Sequence, residues 1–91
     1  MKISLSRILA IDSLIRHKST GSPEKFALHL GISKRTLHVT LSYMKEAFNA
    51  PIYYNRVKET YSYMEEGFIM IKFQRGKPSS KDVYETSVMG V

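Results

Sequence analysis

A chain of 91 residues, 43% of them hydrophobic and with a formal net charge of +6, makes one small domain with a thin core and is too apolar for general disorder. It has no cysteine, which excludes disulfides and thiolate chemistry and leaves the redox compartment undetermined. No apolar run approaches the roughly 20 residues of a membrane span, and the N-terminal MKISLSRILAIDSLIRH is too broken by Ser, Arg and Asp for a signal peptide, so the cytoplasm is the expected location.

The first helix is expected over residues 4–17. Ile8, Leu9, Ile11, Leu14 and Ile15 form a broad apolar stripe at helical spacing, with Arg7, Asp12, Arg16 and Lys18 falling largely elsewhere. His17 and Lys18 put positive charge at its C-terminal end, which suits the helix dipole, and Ser19-Thr20-Gly21 ends it. The second helix has a sharper start: Ser22 as N-cap, Pro23 at the first helical position and Glu24 in the first turn. Phe26, Ala27 and Leu30 make its inner face, and Gly31 stops it, because glycine takes positive φ without steric cost.

The third helix opens on Ser33, a further N-cap, with Ile32 before it filling the space between the helices. Leu37, Leu41, Met44 and Phe48 recur at three- and four-residue steps as one buried face, while Ser33, Lys34, Arg35, His38, Val39 and Ser42 lie mostly on the other side. Pro51 biases Ala50 out of helical geometry, which ends the helix near Asn49. Residues 23–44 therefore read as two short helices around a tight turn, the outline of a helix-turn-helix.

Beyond Pro51 the period changes. Ile52-Tyr53-Tyr54 and Thr60-Tyr61-Ser62-Tyr63 alternate and are β-prone, with the polar 55–59 stretch as a hairpin tip. Ile52 and Tyr54 then share a face with Tyr61 and Tyr63, so sheet packing explains these tyrosines better than base stacking. After the break at Glu65-Glu66-Gly67, the run 68–73 reads as one further strand, apolar on both faces. Residues 74–91, rich in Ser, Lys and Gly, read as a flexible or loosely attached tail with a short ordered piece near Val83-Tyr84.

These elements and their residues resemble the small winged helix-turn-helix domains of DeoR-type and biotin-repressor-like regulators. Phe26-Ala27, Leu30-Gly31-Ile32-Ser33 and Lys34-Arg35-Thr36-Leu37 carry the likeness. Ala50-Pro51-Ile52 and the hairpin, Tyr54-Asn55-Arg56 through Tyr61-Ser62-Tyr63, continue it. The resemblance implies an α+β winged helix-turn-helix domain over residues 1–73: three helices, a hairpin wing and one more strand. It also implies that the small Ala27 lets the motif helices approach, that Gly31 makes the turn, and that Ile32 and Leu37 lock the angle between them.

The functional expectation is sequence-specific binding of double-stranded DNA, as in a small transcriptional regulator. Residues 1–64 hold ten Lys/Arg against four Asp/Glu, whereas residues 65–91 hold four of each, so the basic character belongs to the motif segment. A helix fits the major groove, and its first turn usually makes the contacts. That turn offers Ser33, Lys34, Arg35 and Thr36, followed by His38, Val39 and Ser42. Lys25, Arg56 and Lys58 are candidates for phosphate or the adjacent groove. Only Lys34 and Arg35 are strongly basic on the helix face, so the wing, Lys25 or a second subunit must share the task. The bland alternatives are a solvated Lys-Arg pair, a surface or packing histidine at His38, and ordinary loop charges at Arg56 and Lys58.

The 68–73 strand either completes the monomer's core or pairs with a second copy to make a homodimer. A protein-interaction module using the same fold, with 68–73 as its contact surface, is the alternative function. Nothing points to catalysis, a metal or a cofactor. His17, His29 and His38 are scattered, and there is no Gly-rich phosphate loop, nucleophile elbow or carboxylate pair in context.

Overall fold

The computed structural model describes residues 3–78. Three helices, α1 (Leu5–Arg16), α2 (Pro23–Leu30) and α3 (Lys34–Ala47), precede two strands, β1 (Ile52–Asn55) and β2 (Thr60–Tyr63). The strands pair antiparallel in a two-stranded sheet. The protein is a small α+β unit with a winged-helix-like layout.

Local chemistry sets the helix ends. Ser4, Ser22 and Ser33 have extended backbone, and each accepts a hydrogen bond on its side chain from the N–H three residues on. Each serine so satisfies one donor that the first helical turn leaves without a partner. At the end of α2, Gly31 takes φ 71°, and the Gly31 and Ile32 N–H groups return to the Leu28 and Ala27 carbonyls at 3.0 Å each. This double closure needs left-handed backbone at its pivot and reverses the chain within two residues. Helix α1 closes the same way around Lys18 at φ 53°, with Lys18 N–H on the Ile15 carbonyl and Ser19 N–H on that of Leu14.

The core is one cluster. Helix α1 contributes Ile8, Ile11 and Ile15, α2 contributes Phe26 and Ala27, and α3 contributes Leu37, Leu41 and Met44; Ala50, Ile52 and Tyr61 close it from the hairpin side. Phe26 is fully buried, which stabilises the fold by about 1.5–3 kcal/mol relative to an exposed ring. The hairpin register sets Ile52 opposite Tyr63 and Tyr54 opposite Tyr61. The Tyr61 ring lies 4.9 Å from Tyr54 and 5.7 Å from Phe26, so the inner tyrosines do pack.

Two polar ties hold the hairpin to the helices. In the link between α1 and α2, buried Thr20 meets buried Thr60: their hydroxyl oxygens are 3.1 Å apart, and the Thr20 hydroxyl also accepts the Tyr61 N–H at 2.8 Å. The second tie is Asp12, only 2% exposed. Its Oδ1 accepts the Tyr63 hydroxyl at 2.7 Å and the Ile69 N–H at 3.1 Å, while Oδ2 accepts Arg16 Nε at 3.0 Å.

Several expectations need correction. Asp12 is not on the polar side of α1 but at the edge of its buried face, where Tyr63, Ile69 and Arg16 neutralise the cost of burial. Leu9, expected in the stripe, is 42% exposed. Helix α3 ends at Ala47 with Phe48 as its cap, slightly before Asn49. The run 68–73 forms no strand. The outer edge of β2 is occupied at Tyr61 by the Thr20 hydroxyl, and the Ile69 N–H goes to a side chain, so no ladder starts. Ile69 packs on the core while Phe68, Met70, Ile71 and Phe73 are exposed. Of the expected tail, residues 79–91, with Val83-Tyr84, lie outside the described residues.

Asp12→Ala should cost about 2–5 kcal/mol, because it strands the half-buried Tyr63 hydroxyl and the Ile69 N–H together; urea unfolding measures the loss, and faster exchange of the Ile69 amide localises it. Tyr63→Phe should cost about 1.5–3 kcal/mol, one hydrogen bond to a charged acceptor. Burial, and then the bond to Asp12, push the Tyr63 hydroxyl well above the ordinary tyrosine range. Folding therefore favours its protonated form: this stabilisation is complete below the ordinary tyrosine value of about 10 and is lost as pH rises through the elevated folded value. Stability titrated into alkali should fall less steeply in Tyr63→Phe than in the parent.

Candidate nucleic-acid interface

The buried side of α3 is Leu37, Thr40, Leu41 and Met44. Arg35, Val39 and Ser42, spaced four and three residues apart, lie on the opposite side and are exposed, as is His38. Val39 is 39% exposed, an aliphatic contact surface flanked by polar groups. Lys25 is exposed on α2, and Arg56 and Lys58 are exposed in the hairpin turn. That turn is shaped by Asn55, whose Oδ1 accepts the Lys58 N–H at 3.0 Å, and by Glu59 at φ 50°; Val57, 93% exposed, is its outermost apolar residue.

The first turn of α3 divides its labour. Ser33 Oγ accepts the Thr36 N–H and donates to Thr36 Oγ1, both at 3.0 Å, so this hydroxyl is engaged in capping. Thr36 is half-buried, and its carbonyl takes the Thr40 hydroxyl at 2.8 Å. Arg35 is exposed and makes no ion pair among the described residues; the same holds for Lys25, Arg56 and Lys58. Lys34 differs: its Nζ lies 2.9 Å from Glu24 Oε2, in the first turn of α2. The Lys34 ammonium holds the Glu24 carboxyl below its usual range, so the charge pair forms above that lowered value and dissolves as pH falls through it.

Two contacts bring these pieces to one end of the molecule. The Glu24–Lys34 pair joins the first turn of α2 to the first turn of α3. The Thr20–Thr60 contact sets the base of the hairpin turn beside the chain that enters α2. Lys25, Lys34 and Arg35 thus share an end with Arg56 and Lys58. Glu24 and Glu59 are the acidic residues within this group. Periodicity could not reveal the Glu24–Lys34 pair, because the partners are ten residues apart on two helices. Among the described residues no three His, Asp or Glu side chains cluster as a metal site, and no helix is long and apolar enough to cross a membrane.

Compared with known protein families, curated proteins and solved structures, the chain matches none.

The capping role of Ser33 has a measurable consequence. Ser33→Ala should lower stability by about 1 kcal/mol, read from chemical denaturation; an unchanged midpoint would mean the hydroxyl is not needed by the helix.

Proposed function

We propose that this protein binds double-stranded DNA sequence-specifically and acts as a small transcriptional regulator of the winged helix-turn-helix kind. Residues 33–48 would enter the major groove, and the 52–63 hairpin would lie on the adjacent backbone. The observation that carries this reading is the exposed side of α3, where Arg35, His38, Val39 and Ser42 stand clear of the core beside cations of α2 and the hairpin that have no acidic partner among the described residues. Arg35 is suited to a bidentate contact with a guanine edge, for about 1–3 kcal/mol of discrimination against other bases. Val39 or the Thr36 methyl is suited to a thymine methyl. The free N–H groups at the start of α3, with Lys25, Arg56 and Lys58, are suited to phosphates.

The interface is small for tight specific binding, which favours a two-half-site operator read by a homodimer. Exposed Phe68, Met70, Ile71 and Phe73 supply an apolar surface for a second copy. The same surface favours a second reading, a protein-interaction module in which α3 is an ordinary basic face. Salt separates them: DNA affinity should fall steeply with salt as counterions leave the phosphates. If no duplex is retained at low salt, the DNA reading fails.

Lys34→Ala combined with Arg35→Ala should leave the far-ultraviolet circular dichroism and melting temperature near those of the parent while removing most DNA affinity. Undiminished binding by that folded variant would move the interface elsewhere. Selection from random duplex DNA should return a palindrome, and Phe68→Ser with Phe73→Ser should reduce the sedimenting species to a monomer. A single asymmetric half-site bound by a monomer would remove the dimer.

A further inference from the structure

We propose that Glu24 is a built-in competitor of DNA for Lys34: the carboxylate holds the ammonium in the free protein, and a phosphate must displace it before Lys34 can contribute to binding. This inference rests on the DNA reading above and concerns the control of that same face.

The pair is intact in the free protein, with Lys34 Nζ on Glu24 Oε2 at 2.9 Å. Both side chains are more than half exposed, at 52% and 66% of their surface, so water and salt reach the pair and nothing buried locks it. Lys34 is the one Lys/Arg of the face with an acidic partner among the described residues; Lys25, Arg35, Arg56 and Lys58 have none. The two charges sit in the first turns of α2 and α3, where free helix N–H groups already favour an anion. The acid is therefore placed where a phosphate would go. It fills the role of that phosphate while the protein is free, and it opposes the polyanion as the complex forms. The Glu24 carboxyl is lowered first by its bond to Lys34, which agrees with a pair formed at neutral pH.

The consequence separates two effects of removing an acid. Glu24→Gln leaves Lys34 without its partner in the free protein, so the phosphate contact forms without first breaking a pair, and the gain is specific to Lys34 and not only a unit of net charge. Lys34 neutralises the same phosphate in both proteins, so the slope of log affinity on log salt stays close to that of the parent, whereas one further neutralised phosphate would steepen it by about 0.9. The gain should need Lys34.

The test is a double-mutant cycle on the full chain: parent, Glu24→Gln, Lys34→Ala and the double variant, each titrated with mixed-sequence duplex DNA over a range of salt. Both side chains are exposed, and unchanged melting temperatures would show that the four proteins fold alike. The expected result is a several-fold gain for Glu24→Gln at low salt with a slope close to that of the parent, and no such gain once Lys34 is Ala. An equal gain in both backgrounds overturns the proposal, because bulk charge then accounts for it. Absence of any gain also overturns it. Arg35→Ala keeps the two readings apart: if it weakens binding while Glu24 and Lys34 show no coupling, the competitor is refuted and the DNA interface stands. If none of the proteins holds duplex at the lowest salt, both fall together.

Discussion

Asp12 is a carboxylate with almost no surface left in water, and a buried charge persists in a fold only where donors replace its hydration. Its three donors come from three places in the chain: Arg16 one turn on, Tyr63 at the end of β2, and the backbone of Ile69 beyond it. The hairpin could slide over an apolar helix face with little change in buried area. It cannot slide without breaking the bond between Tyr63 and Asp12. The contact between Thr20 and Thr60 fixes the other end of β2 in the same manner. Apolar burial draws the hairpin onto the helices, and these two directional contacts fix where it stops.

Most of the fold was legible because local rules state it locally. Ser22-Pro23-Glu24, Gly31 and Ser33 each perform the task their residue type suggests, and the helix bounds follow within a residue or two. The hairpin was legible from alternation, since a period of two leaves one register that buries Ile52, Tyr54 and Tyr61 together. What escaped was non-local. Asp12 looked like a solvated helix residue because its partners lie 51 and 57 positions away. Thr20 looked like a terminator because nothing in the link shows that Thr60 will face it. The run 68–73 has strand composition, yet a strand needs a free edge, and β2 has spent its edge on a threonine hydroxyl.

The same division applies to the candidate site. Exposure of Arg35, His38, Val39 and Ser42 follows from the helical period once Leu37, Leu41 and Met44 are assigned to the core. The roles within the first turn do not. Sequence names Ser33 as the cap, but it treats Lys34 and Arg35 as an equivalent basic pair and offers Thr36 as one more contact. In the fold, Ser33 caps the Thr36 N–H and donates its hydroxyl to Thr36 Oγ1, Lys34 crosses to α2, and Arg35 alone projects without a partner among the described residues. A helix start must satisfy its own backbone before it can offer groups to a ligand, so part of any such turn is committed in advance.

That commitment bears on how a module this small could bind DNA at all. With Ser33 engaged in the cap and Lys34 in an ion pair in the free protein, Arg35 would carry the first turn in the proposed complex until Lys34 is released, and further charge would come from Lys25 and the hairpin. Such a face would be weak alone and would gain most from duplication by symmetry. The Asp12–Ile69 bond anchors the apolar 68–73 run to α1, whereas Arg35, Val39 and Ser42 face away from the core that α1 and α3 share. A second copy seated on that run would leave the α3 surface uncovered, so association and DNA contact would not compete for the same residues. The buried carboxylate that sets the hairpin also holds the start of the apolar run against α1 through Ile69, while the exposed face of α3 follows from its own helical period.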